Sequence, residues 1–226
     1  MNNSLVLDTD DSPARGWALI SATLAPVVLI AGWLVAGLVQ SNDYNPVSQT
    51  ISVLAGSAAN HRWIMTVGLV LVGVCHLVTA AGLTSFRMRA RLGLGIGGLA
   101  GLGVAIFAEP VHGSTSTHIV FATLCVLILA LWPATIPTPG DALPAVLTTR
   151  TAAMVTAVFL GLALWVYIAG HGGGALGIAE RVDTAIANAW PLVVLVALRR
   201  HRRSDVGERA VGRAARIPDA LPVDAL

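Results

Sequence analysis

Long apolar stretches separated by short polar ones occupy most of this chain. Six of them reach or approach the roughly 20 residues that cross a bilayer: Trp17–Val39, Trp63–Leu83, Leu92–Ala108, His118–Ala134, Thr151–Gly170 and Ile178–Leu198. The pattern predicts an all-α integral membrane six-helix bundle, since a helix satisfies its own backbone in hydrocarbon. The third and fourth windows are short, so they stand nearly upright, extend into their flanks or sit within the bundle. The sixth opens on Glu180, Arg181 and Asp183, which places its first turn at the water interface or in a polar cavity. The first window is too long for the apolar part of a secretory leader and lacks a small-residue cleavage site, so it reads as an uncleaved span. Three segments result: a tail over 1–16, a membrane domain over 17–200 and a basic, partly disordered tail over 201–226.

Composition supports this division. The 226 residues are 55% hydrophobic and only 12% charged, against roughly 25% charged in soluble proteins. Too little polar surface exists to cover a water-facing globule, so lipid must cover it. Cys75 and Cys125 both sit in apolar runs without a CxxC pairing and read as small core residues.

All 14 basic residues are arginines, and their placement orients the bundle. Arg15, Arg87, Arg89, Arg91, Arg150, Arg199, Arg200, Arg202 and Arg203 fall on one side, while the other holds Arg62 and Arg181. Positive residues stay inside, so both termini are expected in the cytoplasm and the protein in the plasma membrane. The N-terminal Asp8, Asp10 and Asp11 do not disturb that count. Trp17, Trp63 and Trp132 fall near span ends, where indole rings anchor at the interface. Gly93, Gly97 and Gly101 form a four-residue ladder that predicts close helix packing. Beyond the last span, Arg209, Arg213 and Arg216 continue at helical spacing, so the Arg199–Arg216 segment offers a basic stripe to anionic lipid headgroups. Pro137, Pro139 and Pro144 mark the connection around Ile136–Asp141 as an extended loop. No feature points to nucleic acid.

Candidate chemistry gathers on the side with few arginines. The first outer loop carries NPVSQTISVLAG from Asn45 to Gly56. Asn45 followed by Pro46 is a good helix start and Gly56 a fitting stop. The segment predicts a short amphipathic helix at the interface, with Val47, Ile51, Leu54 and Ala55 on one face and Ser48, Gln49 and Ser52 facing elsewhere. The second outer connection runs from Glu109 through His112 to His118, and the third holds His171 and three glycines. Ionisable groups at membrane depth cost roughly 2.5–3.5 kcal/mol each and suggest function by default. Glu109, His112, His118 and Glu180 are therefore the candidate catalytic residues. Asn45, Ser48, Gln49, Ser52, His171, Arg181 and Asp183 are candidate binding residues.

The same residues carry plainer readings. His61 and His171 sit in aqueous loops and need no role. His112 and His118 serve equally as hydrogen-bonded structural groups, and Glu180 with Arg181 as an ion pair at a helix start. His76, alone at depth in the second span, either bonds a neighbouring helix or relays protons. Metal ligands normally come at helix-compatible spacing. His112 and His118 are six apart and no HxxxH or HExxH occurs, so a metal cofactor has little sequence support. No GxSxG marks a serine nucleophile.

The string at Asn45–Gly56 resembles the N-x-x-S-x-x-I-S-x-L signature of a bacterial and archaeal membrane family known as domain of unknown function 998. His112-Gly113 with His118 resembles that family's second outer motif, and Gly177, Glu180 and Arg181 the start of its last helix. The likeness covers roughly residues 17–200 and implies a six-helix bundle without an assigned reaction. Three function classes remain: binding of a lipid or membrane partner near the outer leaflet, an intramembrane hydrolase or transferase on lipid-linked substrates using the outer His/Glu cluster, and a small transporter.

Overall fold

The computed structural model describes residues 14–41, 43–136, 144–172 and 174–214. Asp8, Asp10, Asp11, the prolines at 137 and 139, and Arg216 lie outside them; Arg15, Arg202, Arg203, Arg209 and Arg213 are placed by backbone alone. Every regular element among the described residues is helical: α1 (Ala14–Leu38), α2 (Ile51–Ala55), α3 (Trp63–Gly82), α4 (Met88–Ile106), α5 (Ser116–Leu131), α6 (Thr149–Gly170) and α7 (Leu176–Ala214). Six of them, all but α2, are long and apolar enough to cross a membrane. The two short windows extend into their flanks. The α4 helix begins at Met88, and a 3-10 turn over Trp132–Thr135 prolongs α5.

The arginines explain the early start of α4. Arg91 donates from Nε to the Ala80 carbonyl at 3.2 Å and from a terminal nitrogen to that of Ala81 at 3.3 Å. Arg89 donates to Thr135 at 2.9 Å. Carbonyls that a helix end leaves without partners are thus met by cations, whose charge also suits the negative end of the helix dipole. At the starts of α5 and α6 hydroxyls serve. Thr115 accepts from the His118 amide and Thr148 from that of Thr151.

The spanning helices close into a ring in the order α1, α3, α4, α5, α6, α7 and back to α1. Small residues allow the approach. An ideal Cβ on Gly98 of α4 would lie 2.8 Å from the Gly73 carbonyl oxygen of α3, so α3 and α4 meet backbone to backbone. The ladder of Gly93, Gly97 and Gly101 packs as expected, on α5 and the turn that follows it, where the nearest neighbours are Trp132, Leu129 and Cys125 respectively. Polar contacts add to the packing. Ser21 of α1 donates to the Cys75 carbonyl of α3 at 2.7 Å and accepts from Thr79 at 3.2 Å.

One expectation fails at depth. Trp132 is no interfacial anchor. It is 2% exposed, and its indole N–H donates to the Ala90 carbonyl at 2.8 Å because the Gly93 face leaves it room inside the bundle. Trp17 and Trp63 are exposed, in keeping with that role. His76 is buried, and among the described residues its Nε2 finds no hydrogen-bond partner. The last helix continues without a break past the membrane-length segment, which ends at His201, to Ala214.

Candidate functional site

At the end of the ring opposite the arginine-rich turns, the first turn and a half of α7 grips the loop that follows α1. Gly177 makes the grip possible: a Cβ there would lie 2.3 Å from the Gln49 carbonyl oxygen and 2.4 Å from that of Pro46. Because the loop sits so close, Arg181 reaches three carbonyls with one terminal nitrogen: Pro46 at 3.0 Å, Gln49 at 2.9 Å and Gly177 of its own helix at 2.8 Å. Its other terminal nitrogen donates to the Tyr44 hydroxyl. The guanidinium also lies 6.0 Å from the Trp33 ring centre, within cation–π range. Burial pushes the Tyr44 phenol above its ordinary pKa, with the Arg181 charge opposing the rise.

Glu180 turns the other way. Its carboxylate accepts the Ile51 amide at 2.6 Å and so holds the first N–H of α2. The expected Glu180–Arg181 ion pair does not form; consecutive helical residues diverge by about 100°, and each finds loop backbone instead. The short helix itself begins later than expected. Asn45 accepts the Val47 amide at 2.9 Å and closes an Asx turn, while its own amide donates to Gln49 Oε1 at 2.9 Å. Thr50 is the cap, accepting from Val53 at 3.2 Å. Pro46 and Gln49 give their carbonyls to Arg181, which favours a turn over helix there. On α2, Ser52 is buried beside Ile51, Leu54 and Ala55, and Val47 is exposed, so the two faces are not divided as expected.

The connection between α4 and α5 braces α2 from its far side. The Glu109 carbonyl accepts the Ser57 amide at 2.8 Å. The Glu109 carboxylate takes the Ser114 hydroxyl at 2.5 Å and lies 3.6 Å from His118 Nε2. His118 is 4% exposed, and its Nδ1 sits 2.7 Å from the Phe107 carbonyl, to which it donates. These contacts do not make a nucleophile–base pair: Ser114 bonds the acid rather than the imidazole, and the imidazole N–H is committed to backbone. His112 stands exposed and apart. His171 is exposed, its ring tilted against Tyr167 with centres 4.2 Å apart and bonded to the Tyr167 carbonyl at 2.8 Å; Ser48 is exposed as well. Among the described residues no three His, Cys, Asp or Glu side chains gather closely enough to hold a metal ion.

Sequence reasoning found Asn45, Gln49, Glu180 and Arg181 but missed their partners Tyr44 and Trp33. It also missed a cavity of about 440 Å³ between α5 and α6. Thr123, Val126 and Leu127 line it from α5, and Leu160, Leu164 and Tyr167 from α6, with Glu180 of α7 as the charged residue among the described ones in its wall. Leu127, Leu164 and Tyr167 are all exposed, so the cavity opens on the outer, lipid-facing surface. A void of about 40 Å³ at the opposite end, beside Phe86 and Arg199, carries no carboxylate.

A ring of six apolar helices of membrane-spanning length defines a multi-pass helical membrane protein. Residues 23–197, from within α1 to within α7, match the family model described as "Protein of unknown function (DUF998)", and the chain belongs to that family. No curated protein and no solved structure matches it.

Proposed function

We propose that the protein binds an amphiphilic molecule of the membrane, which enters sideways between α5 and α6. The observation that carries this reading is the cavity itself. Its volume falls within the roughly 300–1,000 Å³ of small-molecule sites. Its walls are apolar along most of their length and end at one carboxylate. An acyl or alkyl chain lying along Val126, Leu127, Leu160 and Leu164 leaves its polar end beside Glu180. A photoreactive alkyl-chain probe is expected to label α5 and α6 peptides in the wild type. Leu164→Trp, which fills the cavity from an exposed position, should cut that labelling several-fold without lowering the unfolding temperature. Labelling spread evenly over all six spans, or unchanged in the variant, overturns the reading.

The arginine distribution supports a plasma-membrane orientation with both termini cytoplasmic, which puts the cavity in the outer leaflet. The run of arginines from Arg199 to Arg216 supports a basic segment facing anionic headgroups. Single-cysteine labelling in intact cells should reach position 112 and not position 89; the reverse result rejects this orientation.

A further inference from the structure

Glu180 belongs to two places at once. It forms part of the wall of the cavity between α5 and α6, and its Oε2 accepts the Ile51 amide at 2.6 Å. That amide is the first of α2, where a helix leaves its N–H groups without internal partners. The other ties of the loop lie away from the cavity. Arg181 holds the Pro46 and Gln49 carbonyls, Thr50 caps Val53, and the Glu109 carbonyl accepts the Ser57 amide. Among the described residues none of these lines the cavity. The Ile51–Glu180 bond is therefore the strut that joins loop and cavity. A hydrogen bond to a carboxylate strengthens as water is removed from around it, because the local dielectric falls. A molecule lying along Val126, Leu127, Leu160 and Leu164 with its polar end beside Glu180 covers that carboxylate from the α5–α6 side. A head that donates to Glu180 does not displace Ile51, since a carboxylate offers about four acceptor sites on its two oxygens.

We infer that α2 senses the cavity: a molecule bound between α5 and α6 strengthens the Glu180–Ile51 bond and holds the Tyr44–Gly56 loop more firmly. The inference rests on the proposed binding of an amphiphile in that cavity and adds what the binding controls. Coupling of this kind is reciprocal, so a loop held through Ile51 also favours the bound molecule. Asn45, Pro46, Val47 and Ser48 are exposed on the same loop and present the change at the surface of the protein.

The test is hydrogen–deuterium exchange on the full-length protein in nonionic detergent, with and without a saturating photoreactive alkyl-chain probe. Photolabelling is read on the same samples. In the wild type the probe is expected to slow exchange of the α2 amides about fivefold, at the low end of typical couplings, while α5 and α6 take the label. Ile51→Pro deletes the donor. Proline suits the first residue of a helix, and Thr50, at φ −69° and ψ 166°, already has the conformation required before it. Ile51→Ala is the control, losing the buried side chain but keeping the N–H. The probe should still slow exchange in the alanine variant and not in the proline variant, whose half-labelling concentration should rise by the same factor. Should the proline variant fail to fold, Glu180→Gln decides: its neutral acceptor should cut the slowing by about half. Labelling of α5 and α6 without slowed exchange in the wild type overturns the inference and leaves the cavity reading standing. Slowing that persists in full in the folded Ile51→Pro or Glu180→Gln protein overturns it too, as does its loss in Ile51→Ala, which would trace the effect to packing. Absence of label on α5 and α6 removes both readings.

Discussion

Arg181→Ala is expected to destabilise the protein by about 3 kcal/mol, read as a lower thermal unfolding midpoint in detergent. The reason is the number of acceptors left behind. Three carbonyls and the Tyr44 hydroxyl lose a charged donor at once, and bonds to charged groups contribute about 1.5–3 kcal/mol each before water replaces part of the loss. Limited proteolysis should locate the damage between Tyr44 and Gly56, with the spanning helices still protected. Arg181→Lys keeps the charge but not the planar fork, so its loss should be intermediate. Tyr44→Phe removes one bond and should cost about 1 kcal/mol. It also changes the alkaline limb. The folded phenol holds its proton above the ordinary value of 10.0. Its contribution is therefore complete below that pH and fades as pH rises through the folded-state value. The phenylalanine variant should lose that part of the alkaline decline. An Arg181→Ala protein as stable as wild type, with no new cleavage in the loop, would show that the grip of α7 on the loop contributes nothing.

The second large effect concerns helix packing. Gly98→Ala should cost roughly 2 kcal/mol, although alanine is the better helix former by about 1 kcal/mol. The new methyl would meet the Gly73 carbonyl oxygen at 2.8 Å and His76 Cβ at 2.9 Å. Neither is the free end of a flexible side chain, so α3 and α4 must move apart. Gly101→Ala on the neighbouring face is the control. Its methyl meets only the Cys125 sulfur, at 3.7 Å, and should change stability by less than about 0.5 kcal/mol. Equal midpoints for the two variants would show that α3 and α4 can separate at no cost and that their close approach does not require glycine.

The fold was legible because hydrocarbon leaves few choices. Twenty apolar residues in a row form a helix whatever their order, so span number follows from counting. Boundaries were less legible. Arg89 and Arg91 read as topology markers, while their bonds to Ala80, Ala81 and Thr135 draw them into α4 itself. The Gly93–Gly97–Gly101 ladder was visible as a period, but Gly98, the tighter contact, has no such period and depends on Gly73, which lies 25 residues earlier.

The end of the bundle that carries α2 was half legible. Glu180 and Arg181 stood out as charges in an apolar segment. Their partners did not, because the loop and α7 are more than 120 residues apart in sequence and a carbonyl acceptor has no residue-type signature. The cavity was invisible for a related reason. Leu127 and Leu164, which line it, are the same residue type as the leucines that face lipid elsewhere, and only the spacing of α5 from α6 distinguishes them.

Closure of the ring by α1 against α7 has a consequence for biogenesis. The ribosome releases the first helix and its following loop long before the last helix exists, so the Pro46 and Gln49 carbonyls wait for a partner that is synthesised last. Five inserted helices form an open arc, and only the arrival of the sixth, carrying Gly177, Glu180 and Arg181 at its leading edge, latches the two ends of the polypeptide together. Assembly therefore finishes in one late step, and a nascent chain stopped before residue 177 presents quality-control proteases with an unlatched loop.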